Sequence, residues 1–340
     1  MELRKSIFLI VWLVGTASCS STSSTINVLS KDAGQIDAAT ACYDFARANC
    51  IKRQACTNLV QAQGTQIMVQ FGDIATCEER EKLACLGAVR AKNTGYTATQ
   101  AELCAQAHAD WSCSDFLDNV PPANCRPTGN RANAAPCTFN GQCVSGYCAD
   151  NRRSNCGICA DVPPPAAECD RSNCGYSELC VDGVCRTRGG LQMNCDNTTA
   201  PCEAGLSCTG PSNGTKTCQT AITTAFASCG ASAPGCYFVQ GYWCSGTSPD
   251  KTCQPINYVE GGEPCGTQSD GTQAACIAGN CFTSAGPAEL TDLGTCMANA
   301  GDGEPCDVQL GPTCITPARC VTDDGGASGT CRVPDDSNCG

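Results

Sequence analysis

The stretch CTFNGQCVSGYCADNRRSNCGIC, residues 137–159, sets Cys137, Cys143, Cys148, Cys156 and Cys159 close together with short loops between them. A second group follows at Cys169, Cys174, Cys180 and Cys185. Four looser groups of four come next: Cys195 to Cys218, Cys229 to Cys253, Cys265 to Cys296, and Cys306 to Cys331, their first cysteines 34, 36 and 41 residues apart. The text GGEPC…GTC around 261–296 returns as GDGEPC…SGTC around 301–331, with Cys339 left near the end. This is degenerate internal repetition.

An ordinary core cannot hold these repeats. Residues 191–340 contain only 23 Val, Ile, Leu, Met, Phe, Tyr or Trp among 150, against 17 cysteines. So little apolar surface does not offset the entropy of ordering the chain. A disulfide contributes roughly 2–4 kcal/mol, mainly by restricting the unfolded chain. The expected fold is therefore a small disulfide-rich multi-module protein: a helical disulfide-pinned N-terminal domain, then an elongated array of short β-hairpin and loop repeats.

The helical expectation rests on residues 36–128. IDAATACYDFARANC is alanine-rich and free of glycine and proline. Thr76 with Glu79, and Thr99 with Glu102, have the spacing of capping boxes. Cys77 and Cys85 fall on nearly one helical face, as do Ala101, Cys104, Ala105 and His108. Pro121 and Pro122 stop the run. Eight cysteines lie here, Cys42, Cys50, Cys56, Cys77, Cys85, Cys104, Cys113 and Cys125, an even set that predicts four internal disulfides in an order the sequence does not reveal.

The N-terminus speaks to location. Arg4 and Lys5 precede the apolar run IFLIVWLV (7–14), too short to span a membrane, and small residues lead to Cys19. Residues 1–18 read as a signal peptide. GTASC resembles the lipobox of bacterial lipoproteins, with Thr16 where that family prefers Leu, and the resemblance implies a lipidated Cys19 as mature N-terminus. Ordinary cleavage after Ala17 or Ser18 is the alternative. Parity agrees with lipidation, because setting Cys19 apart from the 35 cysteines leaves an even 34. Residues 19–35 then form the lipidated cysteine and a Ser/Thr-rich tether. Cysteine makes up one tenth of the chain, which marks a disulfide scaffold folded outside the cytosol. From Cys19 onward, 19 basic residues face 32 acidic ones, a net charge of −13 that disfavours nucleic acid.

The C-x5-C-x4-C opening at 137–148, the later C-x2-C, and the C-x4-C-x5-C-x4-C close at 169–185 resemble the N-terminal cysteine-rich region of Dickkopf proteins. The chain departs from that family at Cys174-Gly175, where Dickkopf regions carry a Cys-Cys doublet. The resemblance covers residues 129–187, with degenerate four-cysteine repeats over 188–340. Taken whole, with text such as FGDIATCEEREKLAC, the chain resembles uncharacterised cysteine-rich lipoproteins and secreted proteins of myxobacteria, which implies a bacterial cell-surface protein.

Groups that could carry chemistry are few. The chain has one histidine, His108, within a helical run where a packed or surface role is expected rather than catalysis. Cys156-Gly-Ile-Cys159 reads as structural disulfide cysteine in an exported chain rather than a redox pair or zinc half-site. Acidic loops at 299–307 and 322–326 offer oxygen ligands that calcium could use, or a solvated acidic surface; no loop has EF-hand spacing. In CYFVQGYWC (236–244), Tyr237, Phe238, Tyr242 and Trp243 crowd between two cysteines, with Gln240-Gly241 placed for a hairpin turn. They suggest either exposed anchors for a partner or the module's own small core. The sequons at Asn197 and Asn213 read as chance in a bacterial setting.

These readings converge on a non-catalytic cell-surface lipoprotein with a binding or structural role. No catalytic residues, metal site or cofactor are expected, and the partner would be an unidentified protein or surface glycan. The alternative is a secreted inhibitor of extracellular proteases.

Overall fold

A computed structural model describes residues 36–339 apart from 59, 151–153, 155, 170–173, 177, 197–199, 212–213, 231–232, 248–249, 289–290 and 323–325. Cys19, the tether, Asn197, Asn213 and most of the 322–326 loop therefore lie outside the described residues.

Five α-helices come first among these residues: α1 (Ala38–Thr57), α2 (Thr65–Phe71), α3 (Ile74–Arg90), α4 (Ala98–Ala107) and α5 (Cys113–Leu117). The Asp37 carboxylate starts α1 by accepting from the N–H groups of Ala39 and Thr40. The starts of α3 and α4 correct the sequence expectation. Asp73 accepts from Thr76 N–H at 2.7 Å and Thr97 accepts from Gln100 N–H at 3.2 Å. Both caps lie upstream of the predicted Thr76 and Thr99, because an extended Asp or Thr with a free side-chain oxygen already satisfies those donors.

Helices α1 and α3 run antiparallel and are riveted twice, by Cys42–Cys85 and Cys50–Cys77. Eight residues separate the cysteines on each helix, slightly more than two turns, so both pairs fall on the facing sides. Cys56–Cys113 ties α5 to the end of α1, and Cys104–Cys125 ties α4 to the 3-10 turn Ala123–Cys125 beyond α5. The eight-cysteine set thus closes on itself as expected. The apolar clusters are small: Ala41, Cys42, Cys85 and Ala101 in one, Cys50, Ile67, Phe71 and Cys77 in another.

Six modules follow, and all six share one plan. With Cys156 set aside, because it pairs outside its module, first pairs with third cysteine and second with fourth, as in Cys137–Cys148 with Cys143–Cys159 and, at the far end, Cys306–Cys320 with Cys314–Cys331. The same order holds in the modules that begin at Cys169, Cys195, Cys229 and Cys265. The third and fourth cysteines always stand directly opposite each other in an antiparallel hairpin, for example Cys208 with Cys218 and Cys281 with Cys296. Opposite residues in such a pair project to one face, so the two disulfides of a module share one side and become its core.

A backbone clasp completes each module. The residue three before the first cysteine (Ala134, Ala166, Gln192, Phe226, Gly262 or Gly303) donates its N–H to the carbonyl of the last cysteine. The last cysteine's N–H returns to the carbonyl one residue further on. All six clasp residues have positive φ, from 63° at Phe226 to 91° at Gly262, and the two largest values belong to glycine, which meets no steric penalty there.

The expectation of an elongated array is overturned. The modules return to the helical domain at point after point. Arg80 of α3, 8% exposed, makes a bidentate pair with Asp302 at 2.7 Å and also donates to the carbonyls of Ile315 and Thr316. Tyr258 meets Thr65 at 2.8 Å, Ala278 N–H donates to the Met68 carbonyl at 2.8 Å, and Ile315 packs into the Cys50–Phe71 cluster. Arg188 pairs with the buried Asp118 just beyond α5 at 3.0 Å. The physical reason is that modules with so few apolar residues find their remaining apolar partners on the helices.

The final residues close the circuit. Cys339 pairs with Cys156, 183 positions away, and accepts from Thr138 Oγ1 at 3.0 Å. Beside it, Asp336 accepts from Arg131, Gln142 and the Lys92 N–H at 2.9, 2.6 and 2.8 Å. Burial alone would raise the Asp336 carboxyl, but these hydrogen bonds and the Arg131 charge hold it below its ordinary 3.8. Its stabilising contribution is therefore full above pH 3.8 and lost as pH falls through the lowered folded value.

Two outcomes are expected. The double variant Cys156→Ser/Cys339→Ser keeps every module folded but loses about 2–4 kcal/mol in guanidinium unfolding under non-reducing conditions. Asp336→Asn melts lower than the native chain at neutral pH, and the two melting curves converge below pH 3.8, where the native carboxylate protonates.

Candidate functional site

Phe45, Asn49 and Arg53 follow one another at four-residue spacing on α1 and so form one stripe. That stripe, the C-terminal end of α4 and α5 line a cavity of about 450 Å³ to which Gln66, Tyr96, His108, Trp111, Phe116 and Tyr176 also contribute. A neighbouring cavity of about 590 Å³ shares Trp111 and Pro121 with it.

His108 is the hub. It is 4% exposed, and its ring meets Phe45 at 5.6 Å, Trp111 at 5.2 Å and Phe116 at 6.3 Å, all edge to face. Its Nδ1 lies 2.7 Å from the Cys104 carbonyl oxygen. A carbonyl only accepts, so Nδ1 carries the proton and Nε2 is left with a lone pair. Burial holds the His108 pKa below its ordinary 6.5; the Cys104 hydrogen bond opposes this, and the charges of Lys52 and Arg53 add to it.

Other polar groups on the wall differ in how they are engaged. Arg53 donates to Gln70 at 2.8 Å and to Glu81 at 3.1 Å, and lies over the Phe71 and Phe116 rings, so its charge is already neutralised. Burial, with the Glu81 charge adding, raises the Tyr96 phenol, which stays protonated. Asn49, 9% exposed, has no side-chain hydrogen-bond partner among the described residues. Trp111 Nε1 is buried and unpartnered. The pairing atoms of Cys104, His108 and Cys125 lie within 4.8 Å of one another, but the two sulfurs are bonded together and present no thiolate to a metal.

The residues singled out in the sequence fall as follows. Cys156 and Cys159 do not pair with each other: Cys159 bonds Cys143 and Cys156 bonds Cys339. In the acidic loop at 299–307, Asp302 is held by Arg80, Glu304 accepts from Gly301 N–H, and Asp307 accepts from Gln309 and Leu310 N–H and from Ser328.

The aromatic segment at 236–244 is not an exposed anchor. Tyr242 is 8% exposed, and Tyr237, Phe238 and Trp243 are half-buried. The predicted hairpin turn is instead a 3-10 turn at Phe238–Gln240, capped by Gly241 at φ 91°. Its flanking cysteines bond elsewhere, Cys236 to Cys253 and Cys229 to Cys244. The segment docks on the helical domain, where Tyr242 packs near Val60 and Gln240 donates to the Cys56 carbonyl. Burial, with the Asp118 charge adding, pushes the Tyr237 phenol up to about 12.

Sequence reasoning placed His108 on a stripe but missed its partners. The spacing of Phe45, Asn49 and Arg53 was visible, whereas Trp111 and Phe116 reach the ring only after α4 ends. No family model, curated protein or solved structure matches this chain.

The lowered His108 pKa gives a pH dependence. A base that is neutral when folded contributes fully above pH 6.5, and that contribution is lost as pH falls through the lower folded value. His108→Phe keeps the ring cluster and removes the proton site. Its melting temperature is expected to change little just below pH 6.5, while that of the native chain falls; parallel curves would exclude this account.

Proposed function

We propose that the chain is an exported, non-catalytic binding protein held at the cell envelope by a lipid on Cys19. The 17 disulfides of the described residues belong to a protein of an oxidising, extracellular or secreted setting. Among the described residues, no helix is long and apolar enough to cross a membrane.

The observation that carries the binding reading is covalent closure. Every cysteine of the described residues is paired, and Cys156–Cys339 returns the last residues to the first module. A surface so restrained holds loops and cavity walls in one geometry, and preorganisation of that kind lowers the cost of association. Among the described residues of the cavity wall, no carboxylate or serine stands with the buried His108 to form a proton-transfer pair, which supports binding over turnover. The partner in this reading is a surface glycan or protein, without nucleic acid and without a cofactor. The GTASC context and the even set of 34 remaining cysteines support Cys19 as the anchor, and the signal peptide and tether belong to the same proposal. Likeness to the Dickkopf region and to myxobacterial surface proteins supports the setting rather than the ligand.

Two measurements test this. Mass spectrometry of the N-terminal peptide from cell-extracted protein is expected to show diacylglyceryl-modified Cys19; an unmodified soluble chain overturns the anchor. Sedimentation of the oxidised chain with envelope fractions is expected to show binding that dithiothreitol abolishes. Binding that survives full reduction would sink the stapled-surface reading.

A further inference from the structure

The cavity beside His108 combines features that select a ligand class. Its volume of about 450 Å³ lies in the lower part of the range of roughly 300–1,000 Å³ typical of ligand sites. Aromatic rings from Tyr96, Trp111 and Tyr176 line it, together with the carboxamides of Asn49 and Gln66. Asn49 and His108 are more than nine-tenths buried, with no hydrogen bond to the Asn49 carboxamide or to His108 Nε2 among the described residues, and Trp111 Nε1 on the same wall is buried without a partner. Buried polar groups in native proteins are nearly always satisfied by protein, water or ligand.

The chemistry of these groups is specific. His108 Nε2 offers a lone pair, because Nδ1 is committed to the Cys104 carbonyl. A carboxamide offers both a donor and an acceptor, the pattern that a hydroxyl group answers in reverse. The Arg53 guanidinium on the wall is paired with Glu81, and that of Arg126 lies over the Tyr176 ring and donates to the Pro121 carbonyl. Aromatic faces favour a flat apolar surface.

We propose that this cavity binds a neutral sugar residue: ring hydroxyls would bond Asn49 and His108 Nε2, and the apolar face of the sugar would lie against the aromatic wall. The inference deepens the binding reading by naming the chemistry of the partner. The sugar could arrive free or as the terminal residue of a glycan.

The test is titration of the full-length oxidised chain with glucose, galactose, mannose and N-acetylglucosamine, followed by tryptophan fluorescence and saturation-transfer NMR. Saturable binding of one of them is expected with a dissociation constant of about 1 mM or tighter. Asn49→Leu, which keeps the side-chain shape, is expected to weaken it about tenfold, the loss of one good hydrogen bond. His108→Phe, which keeps the ring cluster, is expected to do the same. Melting temperatures taken alongside confirm that both variants fold; if either does not, Gln66→Leu at the less buried part of the wall replaces it. Comparing the free sugar with its methyl glycoside and with a glycan ending in that sugar separates the two sources: tighter binding of the glycan assigns a terminal residue, and equal binding the free sugar.

Failure of all four sugars to bind, or binding unchanged in the folded variants, overturns the proposal. Envelope binding that persists in either case leaves the broader binding reading standing, so the two failures are distinguishable.

Discussion

Where Cys148 stands opposite Cys159, and Cys320 opposite Cys331, two side chains leave one face of a hairpin and each takes a partner from the preceding loop. Two disulfides side by side are the whole buried cluster of the first module, Cys137, Cys143, Cys148 and Cys159, and the centre of the last, where Ala300 and Ala318 join them. Sulfur here takes the place of the branched aliphatics that these repeats lack. The backbone clasp then follows, since closing so short a hairpin over its cysteines brings the entering strand beside the last residue and demands a left-handed residue where the chain turns.

Cross-linking alone leaves the modules free to swing relative to one another, and it is the helical domain that restrains them. Its own stability is also covalent in large part, with α1 and α3 riveted at two levels and only small clusters of alanine and cysteine between them. The domain therefore has apolar surface and polar groups such as Arg80 to offer outward. Ile315, Tyr242 and Tyr258 settle on it, and Asp302 and Asp336 fix the ends with buried or half-buried ion pairs. A cavity with rigid walls is a natural product of this construction, because side chains held by disulfides on either side cannot collapse to fill it.

The cysteine groups, the even set within residues 36–128 and the want of apolar residues after 190 were all legible in the chain, and they were enough for the class of fold. Finer points failed where a local signal had a competitor. Thr76 has the spacing of a cap, yet Asp73 is better placed and takes its N–H. Tyr237, Phe238, Tyr242 and Trp243 look too large for a small loop to cover, and their own loop does not do so alone: Tyr242 packs near Val60 between α1 and α2, Gln240 beside them reaches the end of α1, and Phe238 and Trp243 meet edge to face.

Composition and spacing thus determined that disulfides replace a core, that helices precede hairpins, and that the folding compartment is oxidising, because these follow from counting residues whose chemistry does not depend on their neighbours. Tertiary structure alone decided which cysteines meet, that the array turns back rather than extending, and that His108 is neutral with a free lone pair on a cavity wall. Each of those depends on contacts between residues tens to hundreds of positions apart, such as Cys156 with Cys339 or Arg80 with Asp302, and no local pattern in the chain encodes them.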